Sequence, residues 1–594
     1  MRKLTEREIE ILEDQGCTAE DWLTVEVDED DFHPERVRRV TFLGQISIGC
    51  QTGSIEVEDG FFRPVGIYHA TLRNVNVGND CLIENVSGFI NNYDIGDGTY
   101  ISQVGILSAH GDSTFGNGNK VSVLNEGGSA NVVIYDKLTA QTAHLMLHSL
   151  ALRKLVAHEI EARPLAEHGT IGSSVRIVGL RDMQNVCVGD GCEIQGACRL
   201  TESTVLSSDE SATWIGPETI IDNSIVAYGA TITDGAKVYN SFVGECVHIG
   251  RGFTAESSLF FANSYMDNGE SCAAFCGPFS CSHHKSTLLI GGQFSFYNAG
   301  SATNQSNHAY KMGPIHYGVL ERGAKTASGC HILWPASVGA FSMVMGKIET
   351  HPDTRELPFS YIIAQGNRTI VVPGINLRTV GTWRDVSKWP KRDLRPRSCR
   401  RDIIHNVFPN PYVVQQAIKG RRLLNKLLDE TPPTEEWIEQ PGYSIRRTSA
   451  VRGIQYYDLV VKLFIYQVFN HSNEATNEGV GVDEWVDLSG MLAPKKEIDR
   501  LMTDIEQGEL MGTDELLLVL QQVASDYEAN ATDYAHSLLQ QMSDSLFLNR
   551  DLWIDAVEQA YAQWLRMVKD DAEREFQMGD VDEDFLRTFL ESVK

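Results

Sequence analysis

With 594 residues, 42% hydrophobic and 22% charged, the chain has room for a large core and for more than one domain. Its formal net charge of -29 excludes general nucleic-acid binding, because phosphates are held by Lys and Arg, and disfavours an anionic membrane surface. No uninterrupted apolar run is long enough to span a bilayer. The twelve scattered cysteines read as reduced thiols rather than a disulfide scaffold, so a cytoplasmic location is expected.

Residues 1–40 read as a helical and extended cap, with Thr5 and Glu8 spaced as a capping box. No apolar stretch of the kind found in secretory signals follows it. Beyond it, apolar residues recur every six positions: Val77, Ile83, Phe89, Ile95, Ile101 and Leu107. The period returns at Val188, Ile194, Leu200 and Leu206, then at Ile220, Val226, Ile232 and Val238, at Val243 and Ile249, and at Ile332, Val338 and Val344. A period of six fits neither an amphipathic helix nor an alternating strand. It fits very short strands joined by tight turns, one aliphatic per strand pointing into a narrow prism, with Gly, Asn, Asp and Ser serving the turns. Three hexads then make one coil, and coils stack through parallel backbone hydrogen bonds.

These residues resemble the hexapeptide-repeat superfamily, over roughly residues 40–380. The arrangement also looks like a bacterial family of long hexapeptide-repeat proteins described only as a domain of unknown function. The resemblance implies a mainly β fold: a left-handed parallel β-helix with an inserted long helix and a C-terminal α-helical domain. Its first block is 41–136 and its second 166–383. Between them, 137–165 has helical spacing (Leu145, Leu152, Val156). Its "HEIEA" at His158 lacks the second histidine of a zinc-protease helix, so a solvent-facing helix pair is the reading. Residues 384–405 form a basic connector, with eight Lys or Arg between Arg384 and Arg401. Lys391, Arg392, Arg395 and Arg397 are its candidate phosphate ligands, the alternative being a strap whose arginines pair with acidic helices. From Asn410-Pro411 onward, 406–594 reads as an acidic α-helical domain.

No phosphate-cradling Gly-rich loop, dinucleotide fingerprint or nucleophile elbow is present. The candidate chemistry lies instead in Cys281–Gly318, where the repeat is expected to break from about Gly269. There the catalytic candidates are His308, then His283 and His284. Asn304, Gln305, Asn307, Lys311 and His316, with His331 beyond, are candidates to hold substrate. Hexapeptide acyltransferases use a histidine to deprotonate a sugar hydroxyl or amine as it attacks an acyl thioester. The resemblance therefore implies a transferase acting on a sugar or sugar-nucleotide, with acyl-CoA as co-substrate and a homo-trimer as the assembly. Two readings stand beside it. One is a zinc site like that of γ-class carbonic anhydrases, drawn from His283, His308, His316 or His331, although the family's ligand spacing is absent and no metal ligand is assigned. The other is a non-enzymatic scaffold or regulator, or a nucleotidyl-sugar-related protein.

Overall fold

The computed structural model describes residues 1–29, 31–125, 131–306, 317–471, 480–510, 512–546, 550–579 and 583–593. Helix α1 (Glu6–Asp14) opens the chain with the expected capping box: Glu8 N–H donates to Thr5 Oγ1 and Thr5 N–H to Glu8 Oε2. Short parallel strands then stack turn upon turn from Thr18–Ala19 to Tyr361–Gln365, interrupted by the segment 109–168. Each turn has three faces. Inward residues of the first include Ile232, Ile249, Met266, Ser282 and, further on, Thr326, Val344 and Ile362. Those of the second include Val238, Ala255, Ser271 and Leu289, and those of the third Val226, Val243, Phe260, Cys276, Phe294, Leu320 and Val338. The mainly β architecture follows from this one inward aliphatic per strand.

The coil is not strictly three hexads long. Val77 pairs with Ile95, three full hexads on, but Thr231 pairs with His248 and His248 with Tyr265, each one position short of that. Single steps therefore vary in length, and three expected inward positions miss by one. Ile90, Val205 and Ile221 are fully buried in place of Phe89, Leu206 and Ile220, and Phe89 is 39% exposed.

The third face is apolar outside as well as inside. Ile225, Phe242, Leu259, Phe261 and Phe275 form a second hydrophobic cluster with the inserted segment and part of the C-terminal region. The insertion holds two helices rather than one, α2 (Ala140–His148) and α3 (Leu150–Glu161). Ser149 is extended and its Oγ accepts from Leu152 N–H at 3.1 Å, which starts a fresh helix. Nor does the pair simply face solvent: Leu145, Met146, Leu152, Val156 and Ile160 are buried in that cluster. The helices after the solenoid are α4 (Val380–Lys388), α5 (Pro411–Glu430), α6 (Arg447–His471), α7 (Lys495–Gln507), α8 (Thr513–Ser525), α9 (Tyr527–Leu546), α10 (Arg550–Met578) and α11 (Glu583–Ser592). Asn410 caps α5 from the position its Asn-Pro signal indicated. At both ends of the stack strand direction reverses. Arg2–Lys3 runs antiparallel to Val25–Val27, and Tyr361–Gln365 antiparallel to Arg368–Val372.

The corner between the third and first faces is a column of left-handed residues: Cys246, Asn263, Phe279, Phe296, Gly323, Phe341 and Phe359, all at φ between 51° and 72°. Phe279 stacks on Phe296 and Phe341 on Phe359, with centroids 5.5 and 5.2 Å apart. Gly323 leaves a gap between the two pairs. Trp389 packs there, 4.7 Å from Phe296 and 6.1 Å from Phe341, and the Arg322 guanidinium lies 4.4 Å over Phe296. A Cβ on Gly323 would sit 2.7 Å from the Phe341 ring. Gly323→Ala is therefore expected to cost about 1–3 kcal/mol, read as a lowered denaturant midpoint.

Candidate functional site

The repeat does not break at Gly269. Tyr265 pairs with Cys281 and Cys281 with Asn298, both just short of three hexads, so regular turns continue through this region. What changes is the inward residue, which becomes Ser271, Ser282, Ala299 or Gln305 and hides the hydropathy period. The geometric break is narrower. Asn298 pairs with Lys325, four and a half hexads on, and the added length falls where residues 307–316 lie outside the described residues. Asn307, His308, Lys311 and His316 lie outside the described residues. Gln305 points into the prism in register with Ile332 and is fully buried, its amide close to the Tyr297 hydroxyl. It is an interior group, so it cannot meet a substrate on the outer surface. Asn304 and His331 stand side by side on the outer second face.

His283 and His284 are exposed at the corner between the first and second faces, their rings 4.2 Å apart. Cys281 Sγ lies 3.1 Å from His283 Nδ1. Along the same outer face, His248 stacks on Tyr265 at 4.3 Å, and Tyr265 meets His283 edge-on at 6.4 Å. Asp267, almost fully buried, holds His248 Nε2 at 3.1 Å and Arg251 at 3.4 Å. Burial lowers the pKa of His283, and the neighbouring His284 and the cations Arg251 and Arg392 lower it further against the opposing pull of Asp267. The imidazole is thus neutral near pH 7. Burial pushes the Cys281 thiol up to about 11, with Arg392 opposing, so this Cys–His contact is not an activated thiolate pair.

The basic connector runs along the aromatic corner as a strap, and it divides the four expected phosphate ligands. Arg395 is 4% exposed: Nη1 donates to Glu245 Oε2 at 3.0 Å, and Nε and Nη2 to Asp393 at 2.8 and 3.0 Å. Its guanidinium serves protein carboxylates, and those belong to a turn of the β-helix and the strap itself rather than to the acidic helices. Further along, Ser398 reaches Glu210, and Arg401 reaches the Asp136 carbonyl and lies over Tyr228. Lys391, Arg392 and Arg397 are exposed. Of these, Arg392 is the one whose charge is felt at Cys281 and His283.

Sequence reasoning missed one cavity, of about 430 Å³, where the corner turn at Glu321 meets α5. Tyr412 Oη donates to Glu321 Oε1 at 2.6 Å and Ala340 N–H to Oε2 at 3.2 Å. Burial pushes the Glu321 carboxyl up to about 8. No spacing could have announced a pair that is 91 residues apart. Among the described residues no three His, Cys, Asp or Glu side chains are grouped so as to hold a metal ion. No described helix is long and apolar enough to cross a membrane.

A polar, histidine-bearing face on a parallel β-solenoid, with a helical region folded against it, is the class of molecule these observations define. The chain belongs to the family described as Domain of unknown function (DUF4954), whose model matches residues 1–428. A second model, Domain of unknown function (DUF6819), matches residues 469–581 within the C-terminal helices. A protein of Treponema pallidum (strain Nichols), named only as an uncharacterized protein, is 23% identical over 603 aligned residues, covering 91% of this chain and 82% of its own length.

Proposed function

We propose that the protein is a transferase of the hexapeptide-repeat type that moves an acyl group from an acyl thioester, such as acyl-CoA, to a sugar or sugar-nucleotide. The observation that supports it most is the His283 ring set against Tyr265 with the charge of Arg392 acting on it. His283 was singled out as a base and Arg392 as a phosphate ligand, and they fall within electrostatic reach of each other beside an exposed tyrosine. In the tautomer that donates Nδ1–H to Cys281 Sγ, His283 Nε2 is bare and can take a proton from the acceptor hydroxyl or amine. The freed oxygen or nitrogen attacks the thioester carbonyl, the tetrahedral intermediate collapses, and the thiolate leaves, taking up the proton to become the free thiol. Arg392 and Arg251 would hold phosphate or pyrophosphate, and the Tyr265 ring offers a stacking surface. His308, outside the described residues, competes for the role of base. A homo-trimer, in which a neighbouring subunit closes the face, belongs to the same proposal.

The test is thiol release from acetyl-CoA in the presence of a panel of amino- and hydroxy-sugar nucleotides, for the native protein and for His283→Ala and His308→Ala. At least one variant is expected to lose about 10²-fold or more, on the order of a general-base contribution. Full turnover in both variants, or no thioester consumption by the native protein, would refute the reading.

A further inference from the structure

The cavity beside Glu321 is lined by none of the residues around His283, and the transferase reading makes no use of it. Its floor is Glu321, Tyr412 and Gln416, the last being 9% exposed. Gln416 Oε1 has no hydrogen-bond partner among the described residues, although its amide lies close to the Tyr412 hydroxyl. A buried acceptor left unmatched costs about 1–3 kcal/mol, so a donor arriving in this cavity would recover that energy. The mouth carries ions of both signs; its two cations are already matched, whereas Glu356 has no ion pair among the described residues. Arg355 grips Asp353 at 3.0 and 2.6 Å, and Lys419 Nζ reaches Glu484 at 3.0 Å. An anionic ligand would meet the Glu356 carboxylate and would share cations that already hold a carboxylate each. The volume lies within the range of about 300–1,000 Å³ that small-molecule sites occupy.

From this geometry we infer that the cavity is a binding site for a small, uncharged, hydroxyl-rich ligand of the monosaccharide or disaccharide class, one hydroxyl donating to Gln416 Oε1 and another meeting the Glu321–Tyr412 pair. Its chemistry follows from the lining: an unmatched acceptor and a phenol beside it, and cations at the mouth that already hold carboxylates. The Glu321 carboxyl, protonated at neutral pH by its burial, adds a neutral donor or acceptor rather than a charge. The inference is independent of acyl transfer, since binding here requires no thioester.

Full-length protein is titrated with glucose, N-acetylglucosamine and sucrose, with glucose 6-phosphate as the charged comparison, by calorimetry and saturation-transfer NMR. At least one neutral sugar is expected to bind saturably and more tightly than glucose 6-phosphate. Gln416→Met, which keeps the volume and removes the acceptor, is expected to weaken that binding about tenfold or more. Tyr412→Phe is expected to weaken it too, and decides the matter should Gln416→Met fail to fold. Absence of saturable binding by every neutral sugar, tighter binding of glucose 6-phosphate, or undiminished affinity in the folded variants would overturn the inference.

Discussion

Truncating Arg395 to Ala is expected to destabilise the protein by about 3–5 kcal/mol, the range seen when one partner of a buried ion pair is removed. Three carboxylates depend on this guanidinium. Glu245 accepts from Arg395 and from the backbone N–H of Arg401, while Asp393 takes its Nε and Nη2. Asp402 passes its own carbonyl to Arg395, and its two oxygens accept from Ala140 N–H and Ala262 N–H at 2.8 and 2.9 Å. That one side chain thereby joins the start of α2, a corner of the β-helix and the strap. Burial already pushes the pKa values of Glu245 and Asp402 upward, and loss of the cation would leave both to be protonated or unpaired. Denaturant midpoints should show the loss, whereas Arg392→Ala and Arg397→Ala, on exposed positions of the same strap, should stay within about 0.5 kcal/mol of the native protein. A midpoint for Arg395→Ala equal to those surface variants would mean that the strap is held by Trp389 and its other contacts alone.

The second large effect is pH-dependent. Glu321→Gln is expected to leave stability nearly unchanged at pH 5 and to raise it by a few kcal/mol at pH 8.5. The sign follows from a folded-state pKa of about 8 against an ordinary value of 4.5. Below 4.5 folded and unfolded chains both carry the proton, so nothing is lost. Between 4.5 and 8 the folded chain keeps a proton that the unfolded chain has released, and stability falls as pH rises. Burial is the main cause, Asp487 adds to it, and Arg355 and the donors from Tyr412 and Ala340 oppose it. Gln removes the titration while filling the same space. The difference in melting temperature between native and variant, followed from pH 5 to 8.5, measures it. A difference that does not grow with pH would show that Glu321 is ionised in the folded protein.

Much of the fold was legible because the β-helix writes its geometry into nearest neighbours. The aliphatics at Val226, Ile232, Val238, Val243 and Ile249 each mark an inward strand, and Thr5–Glu8 and Asn410-Pro411 each mark a helix start. The same code fails where an inward position carries Ser282 or Gln305, since a small or polar side chain in the prism looks like a turn residue. That is why the regular turns after Gly269 read as an excursion. The candidate site was legible only in part. His283 stands out among polar neighbours, but its relation to Arg392 depends on where the strap lies. The pairs Arg395–Glu245 and Glu321–Tyr412 are 150 and 91 residues apart, so their chemistry is fixed by packing and leaves no mark on spacing. Arg395 and Arg392 look alike in sequence, yet one is buried structure and the other an exposed charge.

The reversal of strand direction at each end of the stack has a consequence for how the molecule behaves at high concentration. A pile of parallel turns finishes in a row of unpaired N–H and C=O groups, and a second copy could add to that row without limit. Here the final turn is folded back on itself by Arg368–Val372, which in turn pairs with Tyr443–Arg446, and the first turns carry Arg2–Lys3 and α1. The edge of Tyr361–Gln365, where the next turn would add, is therefore already occupied. A chain cut before Arg368 would expose the strand that now terminates the growth direction, and would be expected to lengthen into filaments.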